Sequence, residues 1–496
     1  MLYNYKNKIL LVIVLAIAMF SCKKILEPDV IDSPTGRNAF KTAQDVNNGI
    51  GAAYSFLRTA LPNKIFLFGD VRAYNFSSLS FTTNVRPETS IPENDYNALI
   101  NNGGGNWSDF YRTIAQCNLL LEVIPTISNY DNATKRRHIG EVSFIRALTY
   151  FYLVRFWGDV PINLSSVNIG TIARSPQAEV YKLVKSDLDK AIANLSLLYS
   201  ADDKAVRATK GAAWAIKAHL MAWQQDYSAC EKLCDSVIRF GNYSLVKDTT
   251  NNNLVKIFVG KSPEGIFELN YDYLQNEVEK NLVYNRTLGR PWYKDVSDGG
   301  GGTEKFLLSP TTEQMDAMFK PGAKDARRFS WFIKDYFANS VTIGKETYNG
   351  AKNRYYFGKY RTLAQNADTT SQKINESNII ITRLADIILL RAEALASNTV
   401  NRPAEAVTLL NEVRKRAFAA AYTGGGDLQD TILLERKKEL IGEGHFFFDL
   451  VRTRKMNKYS LITESDWYSG GAWLLPINQS IIAESNFTIT QNDYWK

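Results

Sequence analysis

The sequence predicts a protein dominated by α-helices, in which a tetratricopeptide-like helical repeat scaffold (an α/α superhelix) is followed by an irregular, loop-rich C-terminal portion. Two observations predict this fold. Apolar residues recur every three or four positions through most of the first half, which is the spacing of one helix face. The stretch 251–370 instead holds a glycine cluster at 299–302 and many aromatic residues but few such stripes, which indicates long loops and short strands.

The N-terminus has the features of an export signal. Lys6 and Lys8 precede an unbroken apolar run over residues 9–20, and Ser21 places a small side chain before Cys22. A bilayer span needs about 20 residues, so the run is too short for a membrane helix. We therefore interpret residues 1–21 as a cleaved signal peptide, with an uncleaved anchor as the alternative.

The first half contains successive amphipathic segments, which we assign to a helical region over 39–250. Apolar stripes predict helices over 43–61, 107–124, 135–157, 175–198, 208–223 and 226–241. The third of these is apolar nearly all round, so we expect it to be buried. Ser175 and Pro176 suit the N-cap and first position of the fourth. Short helices joined by short turns are typical of tetratricopeptide-type pairs.

Helices resume after the loop-rich stretch, and we assign residues 251–496 to a second region with long loops and further helices. One helix is predicted inside the loop-rich stretch, over 311–319. After that stretch, apolar stripes predict helices over 379–397, 403–417 and 427–441, followed by an extended tail over 473–492.

Aromatic residues make up 12% of the chain, and several lie in predicted loops. Flat rings with a polar edge suit the faces of sugar rings, while filling the core under the loops is the alternative interpretation. The loop candidates are Phe66, Phe68, Tyr74, Phe76, Trp292, Tyr293, Trp331 and Tyr336.

Catalytic and cofactor motifs are missing from the sequence. The three histidines form no H-E-x-x-H motif, no G-x-S-x-G elbow occurs, and no complete phosphate-binding loop is present. The net charge of +8 is modest for this length and forms no dense basic block, which argues against nucleic acid. We predict no metal site and no cofactor, and interpret Cys230 and Cys234 as buried small residues.

Several motifs resemble the SusD/RagB family of outer-membrane nutrient-binding lipoproteins. Residues 144–161 read FIRALTYFYLVRFWGDVP, and residues 435–452 read ERKKELIGEGHFFFDLVR. Segments 175–195, 207–213, 475–477 and 491–492 match further parts of the family pattern in the same order. Cys22 resembles the modified cysteine of a lipobox, although Met19 stands where Leu is usual.

This resemblance implies a lipid-anchored binding protein rather than an enzyme. It implies that Cys22 carries the lipid, that residues 22–38 form a tether, and that the protein faces the cell exterior on the outer membrane. It also implies a SusC-like TonB-dependent transporter as partner and an oligosaccharide or polysaccharide as ligand. A peptide ligand, a glycoside hydrolase whose two carboxylates are distant in sequence, and a scaffold without a pocket are the alternatives.

The expected ligand contacts lie in two loops. Residues 68–75 resemble a binding loop of the family and offer Arg72, Tyr74 and Asn75, and the second candidate loop contains Trp292 and Tyr293. The charged motif near the C-terminus is instead interpreted as a paired structural network. Phe446 stands where the family pattern usually has Arg, so the pattern predicts one carboxylate without its usual partner.

Overall fold

A computed structural model describes most of the chain. The described residues are 39–80, 90–167, 170–198, 200–247, 253–271, 287, 306–334, 341–343, 346–348, 355–360, 377–458 and 462–496. Helices predominate among them, as the sequence predicts.

The N-terminal half forms a series of helices that pack side by side in chain order. Their bounds are α1 (Ala43–Ala60), α2 (Pro62–Gly69), α3 (Tyr96–Asn101), α4 (Ser108–Val123), α5 (Asn132–Trp157), α6 (Gln177–Asn194), α7 (Lys210–Trp223) and α8 (Tyr227–Phe240). Helix α4 packs on α1 and α5, and α5, α6, α7 and α8 each pack on the next. Side chains cap several N-termini, as where Thr42 and Asp45 form a capping box at α1.

The longest helix, α5, lies at the centre of this series. It is buried along almost its whole length after the first two turns, which confirms the expectation from its uniformly apolar sequence. Helix α6 begins later than predicted, because Ser175 is not its N-cap. The backbone of Ser175 pairs with Val160 in a short antiparallel bridge, and the N-cap is Pro176.

The described residues of the C-terminal half add further helices. They are α9 (Thr312–Met318), α10 (Ala326–Ser330), α11 (Leu384–Ala396), α12 (Pro403–Arg416), α13 (Leu428–Leu440), α14 (Phe446–Arg452), α15 (Glu464–Tyr468) and α16 (Gln479–Glu484). Helix α11 packs directly on α8, so helix stacking continues past the predicted boundary at residue 250. Helices α11, α12 and α13 enclose a second, smaller apolar core.

Short antiparallel strand pairs accompany the helices, and most of the described strands lie between α8 and α11. The described strands are β1 (Ser77–Ser80), β2 (Val160–Pro161), β3 (Arg174–Ser175), β4 (Gly265–Leu269), β5 (Phe306–Ser309), β6 (Phe332–Lys334), β7 (Val341–Ile343), β8 (Glu346–Tyr348), β9 (Tyr355–Phe357) and β10 (Ile379–Arg383). They pair as β1–β5, β2–β3, β4–β10, β6–β9 and β7–β8.

The predicted helix over 379–397 is wrong in its first five residues. These residues form β10, which pairs with β4 through Ile379 opposite Leu269, and the helix begins only at Leu384. The isoleucines favour a strand because their branched side chains pack well on a pleated surface.

A buried network of charges ties the second half together. Glu439 on α13 accepts hydrogen bonds from Arg383 (2.8 Å), from Arg327 (2.9 Å) and from Arg416. All four side chains are at most 2% exposed. Burial alone would raise the pKa of Glu439, but the charges of Arg416, Arg383 and Arg327 outweigh burial and hold the pKa well below its usual range.

The other members of the network extend it to strands, loops and α14. Arg383 binds Glu264 and Glu443 at 2.9 and 2.8 Å, and Glu443 also binds Lys359. Asp449 on α14 accepts hydrogen bonds from Arg436 and Arg452. The motif is therefore a paired structural network, as predicted.

The expectation of one unpaired carboxylate is wrong. Glu435, Glu439, Glu443 and Asp449 each have an arginine partner. The partners of the three glutamates come from elsewhere in the chain, and Asp449 pairs with Arg436 and Arg452 of the motif itself, so Phe446 leaves no carboxylate without a cation. Lys437 lies over the Phe446 ring instead, 4.9 Å from its centroid.

We expect Glu439→Gln to lower the free energy of unfolding by about 3–5 kcal/mol, because it leaves three buried guanidinium groups short of one charge. Urea unfolding followed by circular dichroism measures this loss. The matched control is Glu179→Gln, because Glu179 pairs with Lys182 at the surface, with side chains 52% and 74% exposed. The control should change stability by less than about 1 kcal/mol.

The stability lost in Glu439→Gln should also depend on pH. The depressed pKa of Glu439 means that its contribution is complete above the unfolded pKa of about 4.3 and disappears as pH falls through the folded value. The stability gap between wild type and Glu439→Gln should therefore narrow in acid. Equal losses of stability in Glu439→Gln and Glu179→Gln would contradict the role of Glu439 in the network. A stability gap between wild type and Glu439→Gln that widens in acid would contradict it as well.

Candidate functional site

Arg72, a predicted ligand contact, is buried in a one-turn 3-10 helix directly after α2. The residue is 1% exposed, and its guanidinium lies 4.6 Å from the centroid of the Phe447 ring. It donates hydrogen bonds to the backbone carbonyls of Trp473 (2.8 Å) and Ala472 (2.7 Å), and to Oδ1 of Asn94 (3.0 Å). Arg72 therefore holds the C-terminal tail against the N-terminal helices.

Asn75, the second predicted contact, is also buried. Its amide donates to Asp70 at 3.3 Å, and Asp70 in turn accepts from the backbone N–H of Gly444. Burial raises the pKa of Asp70 to about 7, opposed by these hydrogen bonds. The two chain segments are in close contact here, since a Cβ on Gly69 would lie 2.4 Å from the Gly444 carbonyl oxygen. Asn75 thus supports a tight junction between α2 and α14.

Tyr74, the third predicted contact, is only half-buried. It adopts a left-handed conformation, with φ of 59°, and its carbonyl accepts a hydrogen bond of 2.7 Å from Gln314 on α9. Of the three predicted contacts in this segment, Tyr74 alone presents surface to solvent.

Four of the eight loop candidates are buried, and two of the four lie in a helix rather than a loop. Phe66 and Phe68 lie in α2, and these two residues, Phe76 and Trp331 are at most 2% exposed. They fill the core, as the alternative interpretation held. Trp292, Tyr293 and Tyr336, like Cys22, lie outside the described residues.

Five partly exposed aromatic residues gather around the tail that Arg72 holds. We call them the aromatic surface, and they are Tyr74, Tyr96, Trp473, Tyr494 and Trp495. The ring of Trp495 lies 5.8 Å from that of Tyr96 and 4.8 Å from that of Tyr494. The phenols of Tyr494 and Tyr74 are close enough to Arg72 to raise its pKa, although burial dominates and lowers it to about 9.

Backbone contacts fix the position of these rings. The indole N–H of Trp495 donates to the carbonyl of Leu474 at 2.9 Å. Arg174 at β3 binds the tail from the other side, donating to the carbonyl of Thr490 at 2.8 Å and to the side chain of Asn492. Arg72 and Arg174 therefore hold the two ends of residues 472–492 on the helical scaffold.

The aromatic surface offers stacking area next to polar groups. Tyr494 is 37% exposed, and beside it Asp493 and Lys496 form an exposed ion pair of 2.7 Å. Tyrosine and tryptophan combine a large apolar face with a polar edge, so such a set binds flat, hydroxyl-rich molecules well.

Four of these five residues were not predicted from the sequence. Tyr96 lies in a short helix with a weak apolar stripe, and Trp473, Tyr494 and Trp495 belong to a tail predicted only as extended. The density of aromatic residues near the C-terminus was the available signal. The contacts that hold the tail beside the Arg72 segment join positions some 400 residues apart, as between Arg72 and Trp473.

Comparison with known proteins places the chain among SusD-like proteins. A family model described as SusD family matches residues 263–495, and one described as starch-binding, associating with the outer membrane, matches residues 37–221. A SusD-like protein of Formosa agariphila is 28% identical over 478 residues, which cover 88% of each chain.

Solved structures show the same likeness. A SusD homolog from Bacteroides thetaiotaomicron superposes with a TM-score of 0.75 at 27% identity, covering 92% of this chain and 99% of that one. A laminarin-binding SusD-like protein superposes with a TM-score of 0.70 at 22% identity, covering 91% and 99%, which shows a shared fold.

We expect Arg72→Met to lower the free energy of unfolding by about 3 kcal/mol, because it leaves buried carbonyl groups without donors. Urea unfolding gives the loss, and limited proteolysis shows whether residues 472–496 become accessible. Arg112→Met is the matched control, since Arg112 is 59% exposed and 3.7 Å from Asp109. A stable Arg72→Met protein with a protected tail would contradict the structural role.

Proposed function

Because the chain is a SusD-like family protein, we propose that it is an outer-membrane lipoprotein that binds a glycan and delivers it to a SusC-like TonB-dependent transporter. The aromatic surface is the observation that carries the binding part of this proposal. The description of the matching family model as starch-binding and associated with the outer membrane supports a glycan ligand and that location.

The ligand contacts that we propose are the exposed rings of the aromatic surface. Tyr74, Tyr96, Tyr494 and Trp495 present partly exposed faces for sugar rings, and Trp292 and Tyr293 stay predicted contacts. Arg72 and Asn75 act indirectly in this scheme. Both are 1% exposed, so they position the tail and the α2 end rather than touch the glycan.

Binding without catalysis fits the two described carboxyl groups whose pKa values burial raises to near neutral, Asp70 and Glu268. A glycosidase acid needs a carboxyl group that is both accessible and raised in pKa. Asp70 and Glu268 have pKa values raised to about 7 by burial, but both are at most 1% exposed and hydrogen-bonded to protein groups. The carboxylates of the C-terminal motif are committed to arginines.

The membrane attachment that we propose rests on Cys22. No helix within the part of the chain that the structure describes is both long and apolar enough to cross a membrane. A diacylated cysteine would supply the anchor, since each buried CH₂ contributes about 0.8 kcal/mol and two chains hold firmly.

We expect Trp495→Ala and Tyr96→Ala each to weaken glycan binding by about 1–3 kcal/mol, roughly tenfold or more, because stacking area is lost. Stability should change little for these partly exposed rings. Affinity electrophoresis against soluble polysaccharides, followed by calorimetry with the best-bound oligosaccharide and a maltooligosaccharide as first probe, measures the effect.

Phe240→Ala provides the control for ring removal. Phe240 is 59% exposed at the end of α8, where it neighbours Trp214. Its loss should leave glycan affinity unchanged. Unchanged affinity in both aromatic-surface variants would place the site elsewhere. Binding of a peptide mixture but of no polysaccharide would replace the glycan with a peptide, and release of free sugar from a bound glycan would show an enzyme.

Cys22→Ala should move the protein from the membrane fraction to the soluble fraction, because the acyl chains provide the affinity for the membrane. Wild type should incorporate labelled fatty acid and, after gentle detergent extraction, copurify with a TonB-dependent transporter. Cell fractionation and mass spectrometry give these readouts. A variant that stays in the membrane fraction would contradict the anchor, and repeated recovery of wild type without a barrel would contradict the partner.

A further inference from the structure

Two of the three histidines in the chain meet at one buried carboxylate. His219 lies on α7, Asp386 on α11 and His445 directly before α14. Each of the three side chains has a donor atom within 4.8 Å of the donor atoms of the other two. The set therefore joins the N-terminal helices to two separate elements of the C-terminal half.

The contacts within this group are close and leave one ring nitrogen unused. Nε2 of His219 lies 2.7 Å from Oδ2 of Asp386, and the His219 and His445 rings stack with centroids 5.5 Å apart. His445 is only 8% exposed, and its Nε2 atom is buried without a hydrogen-bond partner. A buried polar atom without a partner is unfavourable, and it indicates that this nitrogen has a ligand that the protein itself does not supply.

We propose that His219, Asp386 and His445 bind one divalent transition-metal cation of the Zn²⁺ type. Two imidazoles and one carboxylate are borderline donors, which zinc, cobalt, nickel and copper prefer, whereas calcium and magnesium take sets made almost wholly of oxygen. A water or a small anion completes the coordination.

Neighbouring side chains orient the Asp386 carboxylate toward the histidines. Arg436 binds Oδ1 of Asp386 at 3.0 Å and so orients the carboxylate while leaving Oδ2 toward the histidines. Thr382 donates to Oδ2 at 2.9 Å.

The distances need only side-chain adjustment to hold an ion. Ligand atoms about 2.1 Å from a tetrahedral Zn²⁺ lie about 3.4 Å from one another. The His219–Asp386 pair at 2.7 Å must open slightly as the ion replaces the shared proton, and the longer separations, up to 4.8 Å, must close. The adjacent Arg436 charge opposes a cation, so we expect a site that binds reversibly rather than one that needs metal to fold.

The nearby thiols do not take part. Cys230 and Cys234 on α8 are fully buried with sulfurs 4.0 Å apart, and they confirm the interpretation as small core residues. Neither sulfur belongs to the group of donor atoms that His219, Asp386 and His445 bring together.

Metal titration of the untagged, chelator-treated protein tests this proposal. Co²⁺ should give the visible absorption of a site with nitrogen and oxygen ligands, and Zn²⁺ should displace it with one ion per chain. His219→Gln and His445→Gln should each weaken binding at least tenfold. His138→Gln is the matched control, because His138, the third histidine, contacts Tyr130 instead and should bind Co²⁺ as wild type does.

X-ray absorption of the zinc-loaded wild type keeps the test independent of variant folding. Two imidazoles and no sulfur in the zinc shell are expected, together with a rise in melting temperature that His219→Gln abolishes. The absence of a cobalt spectrum at large metal excess would overturn the proposal. A shell with sulfur or with fewer than two imidazoles, or loss of binding in His138→Gln, would overturn it equally.

Discussion

The C-terminal half depends on the pairing of buried charges around Glu439. An isolated charge in the interior is far less stable than one in water, so arginines from a strand end, a short helix and a long helix have to reach this carboxylate together. Those three segments lie apart in the chain and meet at this carboxylate. The network therefore determines how the short strands pack on the helices, and the apolar contacts follow from that arrangement.

Arginine performs a second task at the aromatic surface, where its partners are backbone carbonyls. Arg72 and Arg174 hold an otherwise irregular tail on rigid helices. Loops on such a scaffold vary readily in sequence while their anchors stay in place, which suits a protein that has to present rings to a ligand. Arg72 therefore supports the proposed site by holding the tail that carries the exposed rings, without touching the glycan itself.

Much of the fold could be predicted from the sequence, and little of the site. Helical stripes located α1, α4, α5, α7 and α12 closely, since periodic burial leaves a local signal. The isoleucines of β10 misled that analysis, because a short apolar run suits a strand and a helix equally until its partner β4 is known. Tyr74 was identified within a segment, whereas Tyr96 and Trp495 meet only through long-range packing. His219 and His445 share no sequence motif, so their meeting at Asp386 was equally invisible.

The hydrogen bond from Arg72 to the carbonyl of Trp473 joins residues 401 positions apart, and this separation affects the rate of folding. A polypeptide is made from its N-terminus, so the guanidinium and the core around it stay incomplete until nearly the whole chain has been synthesised. Contacts of such long range slow folding, since the entropy of closing the loop is lost before the contact forms. In that interval the apolar faces of the early helices are open to aggregation, so efficient production of this protein should require a chaperone that protects them.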